Sequence, residues 1–139
     1  MALLANREHS RAELARKLAG RGFDTAAVDQ ALAHLAETGL LDEGRLAEAY
    51  VAERLHKGFG PLRIRQELRG KGLADDLIAP HLRLADGDWL DLIAAAHDKR
   101  FGPAAPADAR ERARRGRFLE YRGFPTDLIA RFLHGAREA

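Results

Sequence analysis

Arg21-Gly22-Phe23-Asp24-Thr25 returns 101 positions later as Arg122-Gly123-Phe124-Pro125-Thr126, and a softer copy, Lys71-Gly72-Leu73-Ala74-Asp75, stands 50 positions after the first. A basic residue, a glycine, a large apolar residue and, two further on, Thr or Asp describe one physical event: a helix stops and another starts. Glycine just past a helix end enters the left-handed region without a Cβ penalty. The apolar residue is expected to fold back on the last turn. The base faces the negative end of the helix dipole, and Thr25, Asp75 and Thr126 are expected to cap the following helices. An even spacing near 50 residues predicts a tandem repeat.

Working outward, helix signals dominate and strand signals are sparse. Ser10-Arg11-Ala12-Glu13 has the pattern of a capping box, opening a helix with Leu14 and Leu18 inward. A second helix follows from about Thr25, with Val28, Leu32 and Leu35 on one face, and a third after Asp42, with Leu46, Ala49, Tyr50 and Leu55 inward. Pro61 suits the first turn of a fourth, whose apolar pair Ile64 and Leu68 repeats Leu14 and Leu18 after 50 residues. Ile78 and Leu82 repeat Val28 and Leu32, and a longer helix then carries Trp89, Leu90 and Ile93 to Gly102. Trp89 is expected in the core.

Beyond the linker Gly102-Pro103-Ala104-Ala105-Pro106 comes a last pair of helices. Residues 10–32 and 111–133 share nine identities at the 101-residue offset. Arg115 and Gly116 stand where the first copy has Leu14 and Ala15, so the last unit is expected to pack differently. The expected fold is all-α, an elongated tandem array of three three-helix, helix-turn-helix-like repeats, about nine helices in all. The unit boundaries are 1–38, 39–85 and 86–139, with the linker near 102–107.

Composition excludes several classes. The 139-residue chain has no cysteine, so it forms neither disulfides nor thiolate metal sites. Its longest apolar run, Leu92 to Ala96, is far too short to span a membrane, and Met1 to Glu8 do not form a signal peptide. A cytoplasmic protein is expected. The six histidines show no paired spacing, no Gly-x-Ser-x-Gly elbow occurs, and Gly58-Phe59-Gly60-Pro61 lacks the lysine and hydroxyl of a phosphate loop. The reading is therefore a protein that is not an enzyme and needs no metal or other cofactor.

The net charge of +2 conceals segregation. Residues 1–23 carry +3, 24–53 carry −6, 54–71 carry +5, 74–98 carry −5 and 99–122 carry +5. Such stripes serve either as solvated helix faces or as basic surfaces for phosphate beside acidic ones for a protein partner. In the central unit Arg54, Lys57, Arg63, Arg65, Arg69 and Lys71 face a single acid, Glu67. Tyr50 and Phe59 flank them as core or contact residues. Arg114, Arg115 and Arg117 form the second basic cluster. These patterns leave open a surface for phosphate or a protein partner, a helix-turn-helix protein that binds duplex DNA directly, and a helical scaffold.

Glu8-His9-Ser10-Arg11-Ala12-Glu13-Leu14, Lys17-Leu18, Arg21-Gly22-Phe23, Gly39-Leu40-Leu41-Asp42, Lys71-Gly72 and above all Gly58-Phe59-Gly60-Pro61-Leu62-Arg63-Ile64-Arg65-Gln66-Glu67-Leu68 resemble the RecX family of bacterial regulators. The resemblance covers nearly the whole chain, most strongly to about residue 82. It implies an all-helical chain of three three-helix repeats that lodges in the helical groove of the RecA recombinase filament on single-stranded DNA. It further implies inhibition of ATP hydrolysis and strand exchange, modulating recombination, DNA repair and the SOS response. Tyr50, Arg54, Gly60, Arg63, Arg65 and Arg69 match the family's central pattern. With Lys57, Lys71, Arg114, Arg115 and Arg117 from the charge reading, they are the candidate contacts to filament or DNA. The expected partners are the RecA filament and, weakly or through it, single-stranded DNA. No membrane partner is expected, the protein is expected to be a monomer, and no extension is expected before the first repeat.

Overall fold

Each joint is built from the same hydrogen bonds. In the first, Gly22 N–H donates to the carbonyl of Ala19 (3.1 Å) and Phe23 N–H to that of Leu18 (3.2 Å). In the second, Gly72 donates to Arg69 (2.9 Å) and Leu73 to Leu68 (3.2 Å). In the third, Gly123 donates to Glu120 (2.9 Å) and Phe124 to Leu119 (3.2 Å). This is the Schellman closure, and it requires a positive φ at the glycine, here 94°, 92° and 99°. The repeat read from sequence is thus a repeat of backbone geometry, with Leu18, Leu68 and Leu119 in equivalent places.

The computed structural model describes residues 8–135, and the expectations for the first seven residues lie outside them. Among the described residues there are eight α-helices and no strand: α1 (Arg11–Gly20), α2 (Thr25–Glu37), α3 (Glu43–His56), α4 (Pro61–Gly70), α5 (Asp75–Ile78), α6 (Asp86–Phe101), α7 (Ala109–Tyr121) and α8 (Thr126–Ala130). A 3-10 turn, Ala79–Leu82, follows α5, and a π-helical turn, Arg131–Gly135, follows α8. Pro80 lies in the 3-10 turn, where its missing N–H cannot continue an α-helical ladder.

The expected capping box is present: the Ser10 hydroxyl accepts from Glu13 N–H (3.0 Å) and Glu13 accepts from Ser10 N–H (3.0 Å). Asp42 caps α3 through Arg45 N–H (3.0 Å). The expected caps at the three joints require correction. Thr25, Asp75 and Thr126 are the first helical residues, so the capping position falls one residue earlier. There Asp24 accepts from Ala27 N–H (2.8 Å), whereas Ala74 and Pro125 have no side-chain acceptor to offer. Asp75 instead receives Arg69 (2.9 Å).

By contact the chain forms two compact units, residues 1–50 with 67–81 and residues 51–66 with 82–139, the divisions falling inside α3 and α4. In the first unit α1 packs on α2, and Leu14, Leu18, Val28, Leu32, Leu35 and Leu41 form a core. Along α3 the inward residues are Leu46, Ala47 and Val51; Ala49, expected inward, is exposed. In the second unit α6 packs on α7 and α8 around Trp89, Ile93, Leu119, Phe124, Leu128, Ile129, Phe132 and Leu133, so Trp89 is a core residue.

The apolar residue of the joint does not behave alike in all copies. Leu73 and Phe124 are buried, Phe124 to 1% exposure, but Phe23 remains 51% exposed. The last unit also departs as the sequence suggests. Arg115, in the place of Leu14, is itself buried. Its guanidinium donates to the carbonyl of Ala104 (2.7 Å), to His97 Nε2 (3.1 Å) and to Glu111 (3.1 Å).

Candidate functional site

The motif Gly58-Phe59-Gly60-Pro61 connects α3 to α4 within the second unit, and each residue has a separate physical task. Gly58, at φ +89°, ends α3 by the same closure as the joints: its N–H donates to Leu55 and that of Phe59 to Arg54, both at 3.0 Å. Gly60 then passes directly against the third joint. Its N–H donates to the Arg122 carbonyl (2.7 Å), and Leu62 N–H donates to the Gly123 carbonyl (2.9 Å). A Cβ on Gly60 would stand 2.6 Å from Gly123 backbone atoms, and one on Gly123 would stand 2.6 Å from Arg63 N. Two glycines are therefore required for the approach, and Pro61, which has no N–H to donate, opens α4.

This docking gathers cations around a ring. The guanidinium carbons of Arg54, Arg63 and Arg122 lie 3.8, 4.6 and 4.6 Å from the Phe59 ring centroid. Arg63 also stands 4.9 Å from the ring of Tyr121, a side chain left 72% exposed, and donates to the Tyr121 carbonyl (3.3 Å). Arg122 is steadied by Phe118 (5.0 Å) and by donating to the Lys57 carbonyl (3.1 Å). Stacking on an aromatic face orients a guanidinium without neutralising its charge. The cluster is thus a preorganised positive surface beside an exposed phenol.

The other candidate residues are dispersed. Arg65 is half-buried on α4 and Arg117 exposed on α7, and neither has a carboxylate partner among the described residues. Lys57 pairs with Glu53 (2.9 Å) on the exposed side of α3. In the first unit, Tyr50 donates to Glu67 (2.9 Å), with the Lys71 ammonium 5.3 Å from its ring. Lys71 also approaches Glu13 (3.6 Å), while its carbonyl accepts the Ser10 hydroxyl. Arg69 is exposed and paired with Asp75.

Arg114 holds Glu111 (2.9 Å), and with Arg115 it depresses that carboxyl to about 2. Arg115, offered by its spacing as a surface contact, is turned inward. An arginine has no acceptor, so His97 Nε2 must be the unprotonated nitrogen, and Nδ1–H donates to Asp98 (2.7 Å).

Sequence reasoning missed Arg122 and Tyr121 as members of the cluster. Arg122 read as a helix-end base, and no local signal places it on Phe59, 63 positions earlier. Among the described residues no group of three His, Asp or Glu side chains could hold a metal ion, and no helix is long and apolar enough to cross a membrane.

These observations define the class: an all-α protein of repeated three-helix domains, with arginines stacked on aromatic rings where two of its turns meet. Comparison with known proteins narrows it. The chain matches the first, second and third three-helix domains of RecX over residues 1–35, 42–82 and 86–133. It is 52% identical to the regulatory protein RecX of Halorhodospira halophila, covering 91% of this chain and 79% of that one. It is 49% identical to the regulatory protein RecX of Pseudomonas savastanoi pv. phaseolicola, covering 97% and 87%. The crystal structure of RecX from Lactobacillus salivarius shares the fold at a TM-score of 0.85, with 19% identity over 99% of this chain and 92% of that one. The chain belongs to the RecX family of regulatory proteins.

Proposed function

We propose that this protein binds the helical groove of the RecA filament on single-stranded DNA and slows ATP hydrolysis and strand exchange. The observation that carries the reading is the triad Arg54, Arg63 and Arg122 on Phe59, flanked by the exposed ring of Tyr121. Oriented guanidiniums suit phosphate or carboxylate, and an exposed aromatic suits either a base or a protein surface. Arg65 and Arg117 extend the positive surface, and in the first unit Tyr50, Arg69 and Lys71 supply further contacts. Bridging neighbouring protomers restricts the motion that accompanies turnover, so inhibition needs no catalytic group. The protein acts as a monomer without cofactor, in the cytoplasm where such filaments form, and repeats 1–38, 39–85 and 86–139 are its contact modules.

The duplex-binding reading is weaker on geometric grounds. A helix-turn-helix reads the major groove with the helix after its turn. Here α2 carries no Lys or Arg, α5 has four residues and α8 has five.

The test is RecA ATPase on single-stranded DNA with added protein. Wild type is expected to inhibit, and Arg54→Glu with Arg63→Glu to lose potency at least about tenfold, as close charge pairs do when reversed. Unchanged ATPase at saturating wild-type protein sinks the proposal. Tight, sequence-dependent binding to duplex DNA without RecA would favour the alternative.

A further inference from the structure

A groove of about 310 Å³ opens in the second unit between the end of α3, the outer face of α6 and α7. Its floor is apolar, formed by Leu92, Ala96 and Phe118. Its rim is cationic: Lys57, Lys99, Arg100 and Arg122. Among the described residues no carboxylate, amide or hydroxyl side chain lines it. A solvated helix face normally intersperses both signs, and a groove with one sign focuses the field on an anionic occupant. The volume is at the small end of ligand pockets, enough for one or two side chains.

We propose that this groove docks an acidic peptide segment of a protein partner, with one leucine- or phenylalanine-sized side chain on the floor and flanking carboxylates on the rim. Charge complementarity and the floor together select this occupant. A nucleotide would bring anionic charge too, but a base needs an open aromatic face or polar groups for its edges. Phe118 offers neither: Arg100 (5.7 Å) and Arg122 (5.0 Å) lie against its ring and Phe101 meets it at 5.3 Å. An apolar anchor ringed by carboxylates matches both surfaces, the floor supplying burial and the arginines bidentate pairing.

The proposal stands apart from the filament reading, because its test contains no recombinase and reads the binding of a peptide. A fluorescein-labelled peptide of alternating Asp and Glu around a central Leu is titrated with the full chain at low salt and followed by anisotropy. Saturable binding is expected, weakened by added salt and by replacing the central Leu with Ser. Lys99→Glu, at an exposed position of α6, is expected to weaken it about tenfold. Leu92→Gln should remove the preference for the Leu peptide over the Ser peptide. If Leu92→Gln fails to fold by circular dichroism, the Lys99→Glu and anchor-replacement arms still decide. Absence of binding, or binding indifferent to both the anchor and Lys99, overturns the proposal. Oligothymidylate binding that is equally lost in Lys99→Glu and competes with the peptide also overturns it, making the groove a nucleic-acid site.

Discussion

Replacing Gly60 by alanine should disrupt the seat of the arginine cluster through a single methyl group. The added Cβ would lie 2.6 Å from the Gly123 carbon and oxygen and 2.7 Å from Phe124 N, all backbone atoms that no rotamer change can move. Relief requires separating the α3–α4 turn from the third joint. That loses the hydrogen bonds from Gly60 to Arg122 (2.7 Å) and from Leu62 to Gly123 (2.9 Å). Two such bonds contribute about 1 kcal/mol each, and overpacking costs about 1–3 kcal/mol more, so the expected destabilisation is about 3–5 kcal/mol in total. For a chain of this size that corresponds to a fall in Tm of roughly 10–20 °C.

The assay is thermal unfolding followed by tryptophan fluorescence. Trp89 is the single tryptophan and lies in the core of the same unit, so its signal reports where the damage falls. Gly70→Ala is the internal control: nothing lies within 4 Å of the added Cβ, and removing a helical glycine should be neutral or stabilise by about 0.5–1 kcal/mol. A Gly60→Ala midpoint within about 1 °C of wild type, where roughly 10 °C is expected, would refute the close-approach argument.

Phe124→Ala should cost about 3–5 kcal/mol, the range for a buried phenylalanine, whereas Phe23→Ala, at the matching place of the first joint but half exposed, should cost under about 1 kcal/mol in urea unfolding. Arg115→Ala should cost about 2–4 kcal/mol, because it strands the Ala104 carbonyl and His97 Nε2, while Arg117→Ala stays within about 0.5 kcal/mol in the same measurement. Glu111 is depressed from 4.5 to about 2 by Arg114 and then Arg115, so its contribution is present above pH 4.5 and fades as pH falls toward 2. Urea midpoints of wild type and Glu111→Gln should therefore differ at pH 7 and converge near pH 2.

What could be read without coordinates was whatever depends on a few neighbouring residues. The three joints, the capping box at Ser10, the Asp42 cap, the start of α4 at Pro61 and the inward pairs Leu14/Leu18 and Ile64/Leu68 follow from backbone hydrogen bonding and helical period, which act over four or five positions. The anomaly of Arg115 was also legible, since a charge in a leucine's place must alter the packing. Even locally the reading slipped by one residue at the joint caps, because Thr and Asp suit the first helical turn as well as the position before it.

Tertiary structure alone decided which equivalent residues do equivalent work. Phe23 and Phe124 share a motif, but only Phe124 has α6, α7 and α8 converging on it. Arg122 is a helix-end base by sequence and a member of the Phe59 cluster by contact, because two glycines let backbones 63 positions apart touch. Arg114 and Arg115 look alike as charges, yet one lies on the surface with Glu111 and the other is buried against Ala104 and His97. Local chemistry specifies where a helix stops and which face is apolar. Which side chain then meets a distant ring is set by how those faces pack.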